Sequence, residues 1–424
     1  MAEGKETRAK AKVTSRRILG TYVTLTLLST FASSFIWGIN TLFLLDAGLS
    51  ITRAFAANAF FTAGQVLFEV PTGVVADTVG RRASYLLGAA TLFVATLLYL
   101  WMWKIHGPFW AWAAISVLLG LGFTFFSGAT EAWLVDGLTS TKYTGTLESA
   151  FAKGQIATGV AMLSGTVAGG AIAQTTSLGV PYALRAAFLA LTFIVAFALM
   201  HDVGFTPRRG ASIVVETRKV LDAALEHGLR NPKVRWVMLA GPFGAGVGMY
   251  GFYAMQPYLL ELWGKRQSYA IAGVAAAIVA ATQIAGGLLV PYLGKVFARR
   301  TTVLIVGSVA STAALAVIGL RAGFWLTLAM LAVWALVFAA TIPVRQAFLN
   351  GLIPSHDRAT VLSSDNLLAS LGGVIFQPGL GKVAEAWSYA ASYVVAAGLE
   401  LLALPFLLLA RRERAASDPI EVDP

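Results

Sequence analysis

Apolar residues run through this chain in long blocks, and charged or Gly/Pro-rich stretches separate them. Each block is about 20 residues, the length that carries a helix across a hydrocarbon core. The approximate boundaries in the first half are Ile18–Leu45, Ala54–Ala76, Ala83–Trp103, Phe109–Val135, Ser149–Thr175 and Pro181–Met200. After one long break come Val237–Leu260, Tyr269–Tyr292, Thr301–Leu320, Phe324–Arg345, Ala359–Gly381 and Ala390–Ala410. These spans, about twelve by the length criterion, leave no room for a separate catalytic domain. The pattern predicts an all-α integral membrane protein with twelve transmembrane helices.

The break between the sixth and seventh spans divides the chain into residues 1–200, a linker 201–236 and residues 237–424. Within the linker, Val215, Leu221, Leu225 and Leu229 recur at helical spacing among charges. That spacing predicts a short amphipathic helix on the membrane surface. A plain connection between two bundles accounts for it without a regulatory role.

Composition agrees with the span pattern. The 424 residues are 57% hydrophobic and 12% charged, with mean hydropathy +0.71. A soluble domain carries about twice that charge on its surface. The net charge of +11 raises the question of nucleic acid, but the placement of the cations answers it. Alternate connections hold Lys5 to Arg17, Arg81/Arg82, Lys142, Arg208 to Arg235, Lys295/Arg299/Arg300, Arg358 and Arg411 to Arg414. The other side holds only Arg53, Lys104, Lys265/Arg266, Arg321 and Lys382. This asymmetry places the basic tail 1–17, the linker and the C-terminus in the cytoplasm, against anionic lipid headgroups. The first apolar run exceeds a signal-peptide core, so the N-terminus reads as a retained tail of an inner-membrane protein. The absence of cysteine excludes disulfides and thiol chemistry. His106, His201, His227 and His356 fall at helix ends and loops, which argues against a metal cluster or histidine relay, and no cofactor is implied.

The halves repeat. At an offset of 218 residues Gln65 falls on Gln283 and Arg81-Arg82 on Arg299-Arg300; at 214, Glu131 falls on Arg345 and Gly137-Leu138 on Gly351-Leu352. Two sets at nearly one offset predict two six-helix bundles related by a pseudo-twofold axis along the membrane normal.

Gly73-Val-Val-Ala-Asp77-Thr-Val-Gly80-Arg81-Arg82 resembles the loop signature between helices 2 and 3 of the major facilitator superfamily, G-x-x-x-D-[RK]-x-G-R-[RK]. It departs at Thr78, where a cation is usual. Pro343 to Ser363 looks like the helix 10–11 junction of bacterial drug:proton antiporter-like members. Leu163 to Gly170, LSGTVAGG, is similar to the antiporter motif of span five but lacks its proline. The resemblance implies the family's fold over the whole chain. It also implies a latch, in which Gly73, Asp77, Gly80 and Arg81 dock on the start of helix 11 while the cytoplasmic side is closed. An acid gains there from the helix macrodipole.

Charges inside spans are costly and are functional candidates. Glu131 and Arg345, related by the repeat and at equal depth in spans the family uses for its cavity, form either a salt bridge between halves or a proton-coupling carboxylate beside its modulating cation. Asp136 shares either role. Glu69, before Pro71, reads as a structural partner of freed backbone groups or latch cations, with proton carriage as the alternative. Arg185 reads as snorkelling or paired with Glu131 or Glu148. Glu400 stands alone in the last span with no role assigned. Trp37, Asn40, Gln65, Tyr250, Tyr253, Gln256, Gln283, Trp334, Asn366 and Gln377 are the candidate binding residues. A site rich in aromatics and poor in fixed charge suits an amphipathic organic molecule.

These features together favour a monomeric secondary transporter that exports drug-like molecules, driven by the proton gradient. No phosphate-binding loop for ATP is present. An importer or facilitator of a nutrient is the second reading on the same fold. A membrane enzyme lacks any catalytic constellation.

Overall fold

The computed structural model describes residues 14–126, 129–207, 212–265, 267–321, 323–353 and 358–420. Residues 1–13 of the basic tail, Arg208, Arg266 and His356 lie outside them, and so do the side chains of Glu148, Leu221, His227 and Arg358.

Among the described residues the chain is nearly all helix. In the first half, α1 is Ser15–Trp37, α2 Asn40–Asp46, α3 Ile51–Thr78, α4 Arg81–Ile105, α5 Phe109–Phe126, α6 Ala129–Ser140, α7 Leu147–Thr175 and α8 Gly179–Leu199. The linker forms α9, Ile213–Ala223, and a π-helical turn, Ala224–Leu229. In the second half, α10 is Pro232–Trp263, α11 Tyr269–Val296, α12 Arg300–Leu320, α13 Phe324–Asn350, α14 Arg358–Ala386, α15 Tyr389–Leu401 and α16 Ala403–Arg412.

Eleven of these segments are long and apolar enough to cross a membrane, with α5–α6 and α15–α16 each forming one crossing. The twelfth is α10, whose hydropathy is diluted by five glycines, two interior prolines and three tyrosines. Helix starts follow side-chain capping. Thr14, Ser50, Thr146, Asn231 and Ser388 each accept a backbone N–H of the first turn, satisfying groups that would otherwise be orphaned. Val215 lies on α9, and Leu225 and Leu229 lie on the π-helical turn that follows it. The predicted first span, Ile18–Leu45, is in fact broken after Trp37, where Gly38 lets α1 end against α11. A Cβ there would lie 3.0 Å from the Gly273 Cα. The predicted last span is interrupted at Leu402.

Twelve crossings return both described ends to one face, called here the terminal face. The halves meet along two seams, α3 against α14 and α7 against α11. The second seam is made by glycines: a Cβ on Gly273 would lie 2.6 Å from the Thr166 carbonyl oxygen and 2.9 Å from the Gly170 Cα. The LSGTVAGG stretch therefore acts as a packing surface, with Gly165 against Ser34 of α1 and Gly170 against α11. Interior prolines occur in α3, α10, α11, α13 and α14, the helices that form or adjoin these seams.

Candidate functional site

The far face is closed by contacts between the halves. Gln256 of α10 accepts the Thr41 backbone N–H at 2.8 Å and donates to the Trp37 carbonyl at 2.7 Å. Glu385 of α14 accepts the Thr52 N–H at 2.7 Å. Phe55 packs on Tyr250 with centroids 4.8 Å apart. Nearer the middle, Gln377 donates to Thr62 Oγ1 at 3.3 Å.

Beneath this closure lies a cavity of about 330 Å³ between the halves, within the size range of small-molecule sites. Five of the sequence candidates line it: Trp37, Asn40, Gln65, Tyr253 and Gln283. Gln65 and Gln283, the repeat-related amides, face it from opposite halves. Its wall is rigid, because Tyr182 Oη donates to Asn40 Oδ1 at 2.7 Å and Asn40 Nδ2 donates to Asn58 Oδ1 at 2.9 Å. Phe61, Phe123 and Phe252 complete an aromatic lining.

The remaining candidates lie elsewhere. Tyr250, fully buried, donates to Ser392 Oγ at 2.5 Å inside the second half. Trp334 stacks on Phe338 in the same core. Gln256 and Gln377 are spent on the contacts between halves described above. These four have polar or aromatic character because they hold helices together where no water can. Asn366 lines a second cavity, about 350 Å³, inside the second half.

Charged residues differ most from the sequence expectation. Arg345 does not pair with Glu131. Its Nη2 donates to Asp365 Oδ1 at 2.6 Å and to the Val237 carbonyl at 3.2 Å, and Nη1 also bonds Asp365. Both partners are in the second half, so the bridge between halves is not formed. Glu131, on α6, is solvent-exposed, with no ion-pair partner among the described residues, and its charge acts on Tyr22. Asp365, 2% exposed, is the acid that sequence reading overlooked, although it sits in an apolar run. Glu69 is half-buried on α3 and lines neither cavity. Glu400 is buried on the wall of the second cavity, one carboxylate oxygen without a partner.

Arg185 is neither snorkelling nor paired with Glu131. It is 7% exposed, donates from Nε to Thr96 Oγ1 at 3.2 Å, and lines the central cavity. The signal in the sequence was an arginine inside an apolar span, where a charge is costly and needs an explanation.

At the terminal face the Gly73–Arg82 motif is folded within its own half. Asp77 pairs with Arg81 at 2.6 Å, and Arg81 Nε lies 3.8 Å from Asp136. Asp202, just after α8, accepts the Arg82 N–H at 2.9 Å. Gly80 has φ +132° and abuts the Asp202 carboxylate, so only glycine fits there. Thr78 donates to the Val74 carbonyl at 2.8 Å and adds no charge to the loop. Gly73, part of the latch that the resemblance implies, faces open space: a Cβ there would meet nothing within 4 Å.

Two six-helix halves, closed on one face around a central cavity, define an alternating-access membrane transporter. The Major Facilitator Superfamily model matches residues 22–264 and 254–424, and the chain belongs to that family. Its members are transporters, which sets the chain apart from enzymes. No curated protein sequence matches it. Solved structures share its fold at low identity. The nucleoside transporter NupG is 14% identical, with 92% of this chain and 98% of that one covered, at TM-score 0.75. A bacterial homologue of the human lysosomal transporter Spinster, inward-facing and unoccupied, is 16% identical, with 95% and 98% covered, at TM-score 0.72. A peptide transporter of the POT type in complex with sulfate is 13% identical, with 95% and 96% covered, at TM-score 0.75.

Proposed function

We propose that this chain is a proton-driven exporter of amphipathic organic molecules, working as a monomer in the inner membrane with its terminal face in the cytoplasm. The observation that carries the reading is the aromatic cavity between the halves, sealed on the far face by Gln256, Glu385 and the glycine seam. With the terminal face cytoplasmic, as the cation asymmetry argues, a cavity closed on the far face loads from the cytosol. In the opposite state the halves rock, and α14 docks against Gly73 and Asp77, which are held ready by Arg81. Glu131, exposed and without a counter-cation among the described residues, supplies the protonatable carboxylate, with Asp136 and Glu69 as the next candidates along the same half.

Purified protein in liposomes tests this. Substrate efflux is expected to stop when the proton gradient is collapsed, and Glu131→Gln is expected to lower gradient-driven flux by about 10²-fold or more, the scale of a lost proton-transfer group. Undiminished flux without a gradient removes proton coupling. Net accumulation in cells expressing the protein favours the nutrient-import alternative.

A further inference from the structure

We infer that the central cavity takes a singly charged organic anion, its carboxylate-type group held by Arg185 and its apolar body held by the aromatic wall; this rests on the transporter reading above and narrows its substrate class. Three observations carry it.

First, Arg185 has no counter-ion. No carboxylate lies in ion-pair range among the described residues, and none lines the cavity. Among the described residues, the ionisable groups that act on its charge are the phenols of Tyr182, Tyr99 and Tyr253. Second, one face of the guanidinium is fixed and the rest is not. Nε is bonded to Thr96 on α4, and Nη1 and Nη2 make no hydrogen bond among the described residues. A guanidinium stays charged in a protein, and its two forward N–H groups match a carboxylate in a planar fork. Third, two of the three phenols are themselves committed. Tyr99 shares a 2.6 Å bond with Ser116 and Tyr182 donates to Asn40, so neither can turn to neutralise the cation.

A buried charge left without a partner is strongly unfavourable. The site therefore gains most from a ligand that brings the missing negative charge. A cation would meet Arg185 with no acid to offset it. A polyanion would find one cation only. The edge-on contact of Trp37 with Phe252, centroids 6.3 Å apart, and that of Phe61 with Phe123, 6.0 Å apart, leave flat apolar walls that suit an aromatic body. Gln65 and Gln283 offer neutral hydrogen bonds on either side.

The probes are naphthoate, naphthamide and naphthylmethylammonium, titrated calorimetrically into the purified protein in detergent. Naphthoate is expected to bind at least about tenfold tighter than naphthamide, as a charge-assisted bond implies, and the ammonium is expected not to bind. Arg185→Gln is expected to remove the preference while naphthamide affinity changes by less than about twofold; Arg185→Lys keeps part of it. Equal binding of naphthoate and naphthamide by the native protein overturns the proposal without need of any variant. So does unchanged naphthoate affinity in Arg185→Gln, and so does failure of naphthoate to bind at millimolar concentration. Flux of the same probes in proteoliposomes separates the two readings. Binding of naphthoate without flux overturns transport and keeps the anion anchor, whereas flux of the amide or ammonium probe without preference for naphthoate overturns the anchor and keeps transport.

Discussion

Asp202 and Asp418 stand in the same place in the two halves, just past the last crossing of each. Asp202 accepts the Arg82 N–H at the start of α4, and Asp418 accepts the Thr301 N–H at 2.8 Å at the start of α12. Each satisfies an orphan donor at a helix N-terminus and gains from the dipole there. Burial pushes the Asp202 carboxyl up from the usual 3.8, against the Arg82 N–H and the charges of Arg82 and Arg81, which act to lower it. An acid whose folded value is raised costs stability once it must ionise, so stability is full below pH 3.8 and declines as pH rises above that value. Its side chain keeps contact with solvent, which keeps the effect small. Asp202→Asn, which still caps, is expected to flatten that decline. Asp202→Ala is expected to lower stability by about 1 kcal/mol. Thermal unfolding in detergent across pH 4–7 checks both. The repeat made the paired arginines visible in the sequence. The aspartates that cap behind them were not, because nothing local ties residue 202 to residue 82.

At the scale of elements, α10 shows how polar residues serve packing. Gln256 makes two hydrogen bonds to the first half, each worth about 1 kcal/mol, and Gly273 of α11 allows the backbone approach beside it. Gln256→Ala and Gly273→Val are each expected to loosen the far-face closure. The chain has no cysteine, so a Thr41→Cys reporter, buried behind Gln256, reads this cleanly. Its labelling by an impermeant maleimide from the far face is expected to rise about tenfold in either background, as the loss of one to two such bonds implies. An unchanged rate would mean the closure rests on the α3–α14 seam instead. Helix number and order were legible from apolar block length alone. The breaks after Trp37 and at Leu402 were not, since they answer to neighbours distant in sequence.

For the whole molecule, the motif that faces open space gives the sharpest prediction. Gly73 is exposed with room around it, so Gly73→Trp is expected to fold with stability changed by less than about 0.5 kcal/mol, as for a surface position. Transport in proteoliposomes is expected to be lost, because the opposite state presses α14 onto that surface. Normal flux in this variant would show that the terminal face closes elsewhere.

Taken alone, the sequence determined the class of molecule: a chain this apolar must put its backbone into membrane-spanning helices, and the offset repeats arrange those helices in two like halves. It also named five of the residues that line the central cavity. Only the tertiary structure decided which charges meet. Arg345 pairs with Asp365 and not with Glu131, and Arg185 is left facing the cavity. In a span every charge is costly, so the sequence marks each one as needing an explanation. The partner, however, lies on another helix, and helix rotation and depth, set by packing across the bundle, choose it.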